Sequence, residues 1–370
     1  MVNAQLFIGI MSGTSLDGVD VALCDLNDSQ CKVLATHFLA YPQSLKTQLL
    51  NLHNPSHNEL EITALTANTL ATLYADAVNA LLAKQNLAAS AITAIGCHGQ
   101  TIRHRPELGF TLQIGNAALL AELTNITVVS DFRSRDIAAC GQGAPLVPAF
   151  HQAVFGSNQS NRALINIGGI ANITYLAKNG SVLGFDSGPG NMLLDAWIKQ
   201  HLGKDYDADG AWSATGEVIE PLLLQMLAEP FFALPPPKST GRDLFNDDWL
   251  AKHLGKAEYH PQDVAHTLIA LTARTIHDAL AQFCSNVCGN VECVYLCGGG
   301  AHNALLIQHL QQLLGHTKLT NTAQLGVGVD WVEAAAFAWL AKQTINNKPS
   351  NLPSVTGAKG LRVLGAIYPA

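Results

Sequence analysis

The segment that most restricts the fold covers residues 8–20. There the apolar run Ile8-Gly9-Ile10-Met11 meets Ser12-Gly13-Thr14-Ser15-Leu16-Asp17-Gly18 and resumes at once as Val19-Asp20-Val21-Ala22-Leu23. Two apolar runs joined by a short glycine-bearing turn read as a β-hairpin. Such a turn suits a phosphate: Gly13 and Gly18 lack a Cβ, which permits positive φ and lets backbone N–H groups approach an anion, while Ser12, Thr14 and Ser15 add hydroxyl donors. The turn has no Gly-x-x-x-x-Gly-Lys-Ser/Thr and no lysine, and a strand follows where a helix would be required, so neither the Walker nor the dinucleotide-binding template fits. A tight hairpin with no ligand is the competing reading.

Two later segments repeat the pattern. The run Leu164-Ile165-Asn166-Ile167 enters Gly168-Gly169 and continues into a β-rich stretch, and Cys293-Val294-Tyr295-Leu296-Cys297 enters Gly298-Gly299-Gly300, after which residues 304–314 have helical apolar spacing. Three glycine clusters, each closing a buried strand and spread over both halves of the chain, resemble the two phosphate loops and the adenosine loop of the actin, sugar-kinase and chaperone ATPase superfamily. The resemblance narrows further with the strings 10–20, Cys97-His98-Gly99-Gln100-Thr101, Gln113-Ile114-Gly115-Asn116, Asp131-Phe132-Arg133, residues 141–148, residues 166–172 and Phe185-Asp186-Ser187-Gly188-Pro189-Gly190-Asn191. In order, and across nearly the whole chain, they are similar to the anhydro-N-acetylmuramic acid kinase family.

That resemblance implies an α/β, two-domain actin-like (ribonuclease H-like) ATPase fold with ATP in an interdomain cleft. It implies ATP, delivered as its Mg²⁺ complex, and a cytoplasmic phosphotransferase of murein recycling that hydrolytically opens the 1,6-anhydro sugar and phosphorylates O6. The nucleotide contacts carried over are Gly13, Thr14, Ser15, Leu16, Asp17, Gly18, Val19, Asp20, Asn166, Gly168, Gly169, Gly298, Gly299 and Gly300. Superfamily members usually carry an aspartate in each phosphate strand; Met11 and Asn166 stand there instead. Metal binding must move elsewhere, with Asp17 and Asp20 as water-mediated candidates, and the ligands stay unassigned.

Composition is that of a globular protein. The 370 residues exceed one comfortable core, and 48% hydrophobic against 13% charged residues argues for long buried strands. A net charge of −7 with no Lys/Arg run argues against nucleic acid as a partner. The N-terminus lacks a basic region ahead of its first apolar stretch, and no apolar run reaches roughly 18 residues, so neither a signal peptide nor a membrane span is expected. Cys284, Cys288, Cys293 and Cys297 admit a zinc reading, but alternation with Val294 and Leu296 favours small core residues. A homodimer is left open.

Domains are expected at 1–128 and 129–350, with 351–370 returning to the first. A long helix over 58–84, a strand over 92–97 and a helix over 331–342 follow from apolar spacing, while the proline-rich residues 234–242 read as an exposed loop or a wall of the site. Asp186 is the expected general base. It closes the apolar run 182–185 ahead of a helix start, a position that keeps a carboxylate ionised; a turn-capping Asp is the alternative. In the family, the matching residue activates the water that attacks C1. An anhydromuramic sugar brings a carboxylate, an acetamide and hydroxyls, so Arg133 and Arg135, with Gln100, Thr101 and Asn116 beside turn glycines and the family-matched Glu333, are the expected substrate contacts. His98 reads as a structural or sugar-side donor. An ordinary sugar kinase and a nucleotide-gated binding module remain rival readings.

Overall fold

A computed structural model describes residues 5–13, 15–27 and 30–370, without the side chains of Asn286 and Cys288; Thr14, among the expected nucleotide contacts, lies outside the described residues. The chain forms two compact units, Met1–Val154 with Trp331–Ala370 and Phe155–Asp330.

In the first unit β1 (Leu6–Met11) pairs antiparallel with β2 (Gly18–Leu26), and β2 with β3 (Cys31–Ala40). The helix Glu59–Gln85 follows, and then β4 (Ile92–Cys97), parallel to β1 on its free side. A separate hairpin of β5 (Gln100–Arg105) and β6 (Phe110–Ile114) precedes β7 (Val128–Ser130), which is parallel to β4. The second unit begins with the antiparallel series β8 (Arg162–Ile167), β9 (Ile170–Leu176) and β10 (Val182–Pro189). Its β11 (Cys293–Cys297) is parallel to β8, and β12 (Lys318–Asn321) is parallel to β11. Back in the first unit, β13 (Ala366–Tyr368) joins the edge beside β7.

The sheet orders are thus β13-β7-β4-β1-β2-β3 and β10-β9-β8-β11-β12. In each, a three-strand antiparallel meander continues into two strands parallel to its first. That repeated order is the ribonuclease H-like topology, and it is a deeper likeness between the halves than their glycine turns alone express.

The domain boundaries differ from the expected 128/129 and 350/351. The second difference is caused by the helix Val332–Ile345, whose backbone lies directly on the first sheet: a Cβ on Gly9 would overlap the Ala334 carbonyl, and one on Gly96 the Phe337 carbonyl. Such close approach requires glycine on the strands and places the return to the first unit at Trp331. The long helix matches its expected span, but Leu60 and Leu65 are exposed and its buried face starts at Thr66 and Leu70, continuing through Tyr74, Val78 and Leu81. In the second unit Cys284, Cys293 and Cys297 are buried thiols outside any disulfide among the described residues. Burial pushes the Cys284 thiol up to about 12, which disfavours the thiolate a metal needs.

Candidate active site

The first unit's glycine hairpin is tied down from beneath. Ser12 is buried, and its hydroxyl donates to the Gly99 carbonyl at 3.0 Å while lying 2.7 Å from the Tyr74 hydroxyl. Since its single proton goes to Gly99, Tyr74 donates to Ser12. Gln100, fully buried, donates from Nε2 to the Gly13 carbonyl at 3.1 Å and accepts from Tyr41 at 3.4 Å. Ser12 and Gln100 therefore hold the hairpin in place through these bonds.

Backbone freedom in the hairpin is distributed differently from expectation. The positive φ belongs to Leu16, at 59°, and neither Gly13 nor Gly18 adopts one. Gly18 is demanded by space, because a Cβ would overlap the Leu39 carbonyl and the Phe38 ring. A Cβ on Gly13 would meet nothing nearer than the Ser15 Oγ, at 3.7 Å. With the side chains of Leu16 and Val19 buried, what the hairpin offers outward is backbone, Ser15 and the exposed Asp17; Asp20 is half-buried on β2, opposite Met11.

Beside the hairpin base, Arg133 spreads over His98. Its Nε and one terminal nitrogen donate to His98 Nε2 at 3.1 and 3.0 Å, and its other terminal nitrogen donates to the Gly143 carbonyl at 2.8 Å. His98 Nε2 must then be an acceptor, with the ring proton on Nδ1. Burial, then the Arg133 charge, lowers His98 to about 3, so the ring stays neutral. Burial also lowers Arg133 to about 10, opposed by Glu333, whose own carboxyl burial raises. Gly143 in turn donates its N–H to the fully buried Asp136 at 2.9 Å, and Asp136 accepts from Asn351 and Thr356 at 2.8 and 2.9 Å. Five guanidinium N–H groups minus these three contacts leave two donors of Arg133 without a partner among the described residues.

The structure therefore brings Arg133, Glu333 and His98 together. The other expected substrate contacts are placed otherwise: Asn116 caps the helix Ala117–Thr124 and donates to Asn68, Thr101 accepts from Gln113, and Arg135 is exposed on the short helix Ser134–Ala138.

In the second unit the remaining glycine turns converge at the C-terminal ends of the parallel strands β8 and β11, where Asn166 is level with Cys297. A Cβ on Gly298 would overlap Asn166 Oδ1, and one on Gly300 would overlap the Ile167 side chain, so both are set by packing. Gly168, Gly169 and Gly299 have no such neighbour, their nearest atoms lying at 3.8, 3.6 and 3.7 Å. The carbonyls of Gly168 and Gly169 accept from Asn191, Gly190 and Met192 at 2.8, 2.9 and 3.1 Å, which fastens this turn to the start of the helix Met192–Leu202.

Asp186 requires a correction. It lies inside β10, at an irregularity in its pairing with β9 that falls between Asp186 and Gly188, and not at the strand's end. Burial pushes its carboxyl up to about 6, opposed by the Thr240 N–H, 3.0 Å from Oδ2, and by Lys238. The expected ionised, helix-facing carboxylate is replaced by a desolvated one poised near neutrality, where general bases work best. Two contributors went unseen in sequence, Lys238 and the Thr240 backbone; the only signal was the proline-rich loop itself, which is a wall against Asp186.

Duplicated ribonuclease H-like units with glycine turns at their strand ends define the actin-like ATPase fold. The fold rests on the strand order; the ADPNP-bound activator of 2-hydroxyisocaproyl-CoA dehydratase from Clostridium difficile aligns with a TM-score of only 0.44 and 13% identity, over 94% of this chain and 99% of that one. The profile for anhydro-N-acetylmuramic acid kinase matches residues 5–370. Proteins of that name from Nitrosospira multiformis and Nitrosomonas europaea are each 53% identical, covering 100% and 98% of this chain and 100% and 99% of their own lengths. One from Pseudomonas syringae pv. syringae is 52% identical over 98% of this chain and 99% of its own. The chain belongs to the anhydro-N-acetylmuramic acid kinase family.

Proposed function

We propose that this chain uses ATP and water to open 1,6-anhydro-N-acetylmuramic acid and phosphorylate its O6, giving N-acetylmuramic acid 6-phosphate and ADP. Family membership over the full length carries the reaction class, and the carboxyl of Asp186, held near neutrality, carries the assignment of the base. Water attacks C1 and gives its proton to Asp186. The C1–O6 bond breaks, and O6 takes the γ-phosphoryl as ADP leaves. One positioned residue thus serves both bond changes.

The backbone of the hairpin 13–18 and the open glycines 168, 169 and 299 are the nucleotide contacts, because N–H groups unshielded by a Cβ can reach phosphate. Arg133 is the carboxylate receptor of the sugar, with two donors unspent and Glu333 beside it for a hydroxyl or amide. Arg135 is not needed for that role. Asp17 and Asp20 would hold a nucleotide-borne Mg²⁺ through its waters, and the ion would supply charge neutralisation at the transferring phosphoryl group. The proposed site of action is the cytoplasm, as the family resemblance implies; no described helix is long and apolar enough to cross a membrane.

Turnover of the anhydro-sugar in heavy-oxygen water tests the reaction. The phosphorylated product should be heavier by one water and carry one solvent oxygen at C1. A product with its anhydro ring intact would mark an ordinary sugar kinase, and rapid ATP hydrolysis without sugar would mark a nucleotide-gated module.

A further inference from the structure

We propose that Lys238 is a positioning residue for Asp186, acting through the backbone it anchors and through its charge. β10 is the edge strand of its sheet, so the outward N–H of Asp186 has no strand to pair with. The Lys238 carbonyl accepts it at 3.1 Å, and two residues on the Thr240 N–H takes Asp186 Oδ2 at 3.0 Å. The segment 238–240 thus holds the proposed base at both its main chain and its carboxylate.

What fixes that segment is the Lys238 side chain. Its Nζ donates to the Phe231 and Phe232 carbonyls at 3.1 and 2.9 Å, and it stands 4.7, 4.9 and 5.9 Å from the ring centres of Phe231, Phe283 and Phe185. Phe185 is the residue before Asp186, so the cage grips the strand that carries the base. An apolar side chain would fill such a cage without the cost of desolvating an ammonium. The cation has a use there because Asp186 is the charged group whose field acts on it, and Lys238 the charged group whose field acts on Asp186. Burial lowers Lys238 to about 8, opposed by Asp186, so it is mostly protonated where the carboxylate is ionised.

The proposal rests on Asp186 as the base and is tested with the full-length enzyme. Lys238→Met should lower kcat roughly tenfold or more with the ATP KM nearly unchanged, and should move the acid limb of the kcat profile upward, since loss of a neighbouring cation favours the neutral carboxyl. Wild-type kcat, or an acid limb in its wild-type place, overturns it. Should the Met variant fail to fold, Lys238→Arg decides: its cation does not titrate, so the fall in rate above about pH 8 expected of wild type should disappear while activity persists. An identical alkaline limb in both enzymes overturns the proposal. If instead Asp186→Asn turns over normally, the assignment of the base fails, whatever Lys238 does.

Discussion

At the scale of single residues, Asp186, as the proposed base, links catalysis and stability with opposite signs. Its carboxyl is raised from its ordinary value to about 6, so the folded protein binds that proton more tightly than the unfolded chain does. Activity needs the ionised form and should fall as pH drops through about 6, whereas the desolvation cost is present above that pH and is relieved as pH falls toward 4. Asp186→Asn should therefore lose roughly a hundredfold or more in kcat, since the amide cannot take a proton, yet raise Tm at pH 8 more than at pH 5. Melting curves at the two pH values, with kcat, check this; an Asn variant less stable at pH 8 than wild type would contradict a desolvated carboxylate. The identity of this residue was legible from its string, but its electrostatics were not. They depend on Lys238 and Thr240, more than fifty residues further along the chain, which no local pattern connects to β10.

At the scale of elements, the hairpin between β1 and β2 combines two kinds of glycine. Gly18 is held by the chain's own packing, while a Cβ on Gly13 would meet only Ser15 among the described residues, at ordinary contact distance. Gly18→Ala should thus cost stability, by about 1–3 kcal/mol for an overpacked site, with ATP affinity in the folded fraction little altered. Gly13→Val should do the reverse, keeping Tm near wild type and weakening ATP binding roughly tenfold while sugar binding holds. Calorimetric titration of each ligand beside thermal unfolding separates the two, and equal losses for both ligands in Gly13→Val would make the hairpin a folding element only. The hairpin itself was legible because two apolar runs flank it. The role of Ser12 was not: sequence offers its hydroxyl to a phosphate, whereas Tyr74, from the middle of the helix Glu59–Gln85, and Gly99 claim it. The cap that Asn116 supplies was equally hidden, since a cap and a ligand contact ask for the same amide.

At the scale of the whole molecule, the second unit is one continuous stretch with its own core, whereas the first is assembled from both ends of the chain. Residues 155–330 expressed alone should give a soluble product that unfolds cooperatively, and a chain stopped at 330 should leave its first unit without tertiary structure, because the faces of Gly9 and Gly96 lose the helix that covers them. Amide exchange on both fragments checks this; slow exchange in β1 and β4 of the shortened chain would refute it. The same arrangement sets an order of events on the ribosome. A chain made from its N-terminus normally completes its first domain first. Here the N-terminal half emerges with an unfinished core and waits while all of the second unit is synthesised and folds. The last forty residues, 331–370, then close what the first hairpin began, so a premature stop near the end of the message would spoil the part of the protein that was translated earliest.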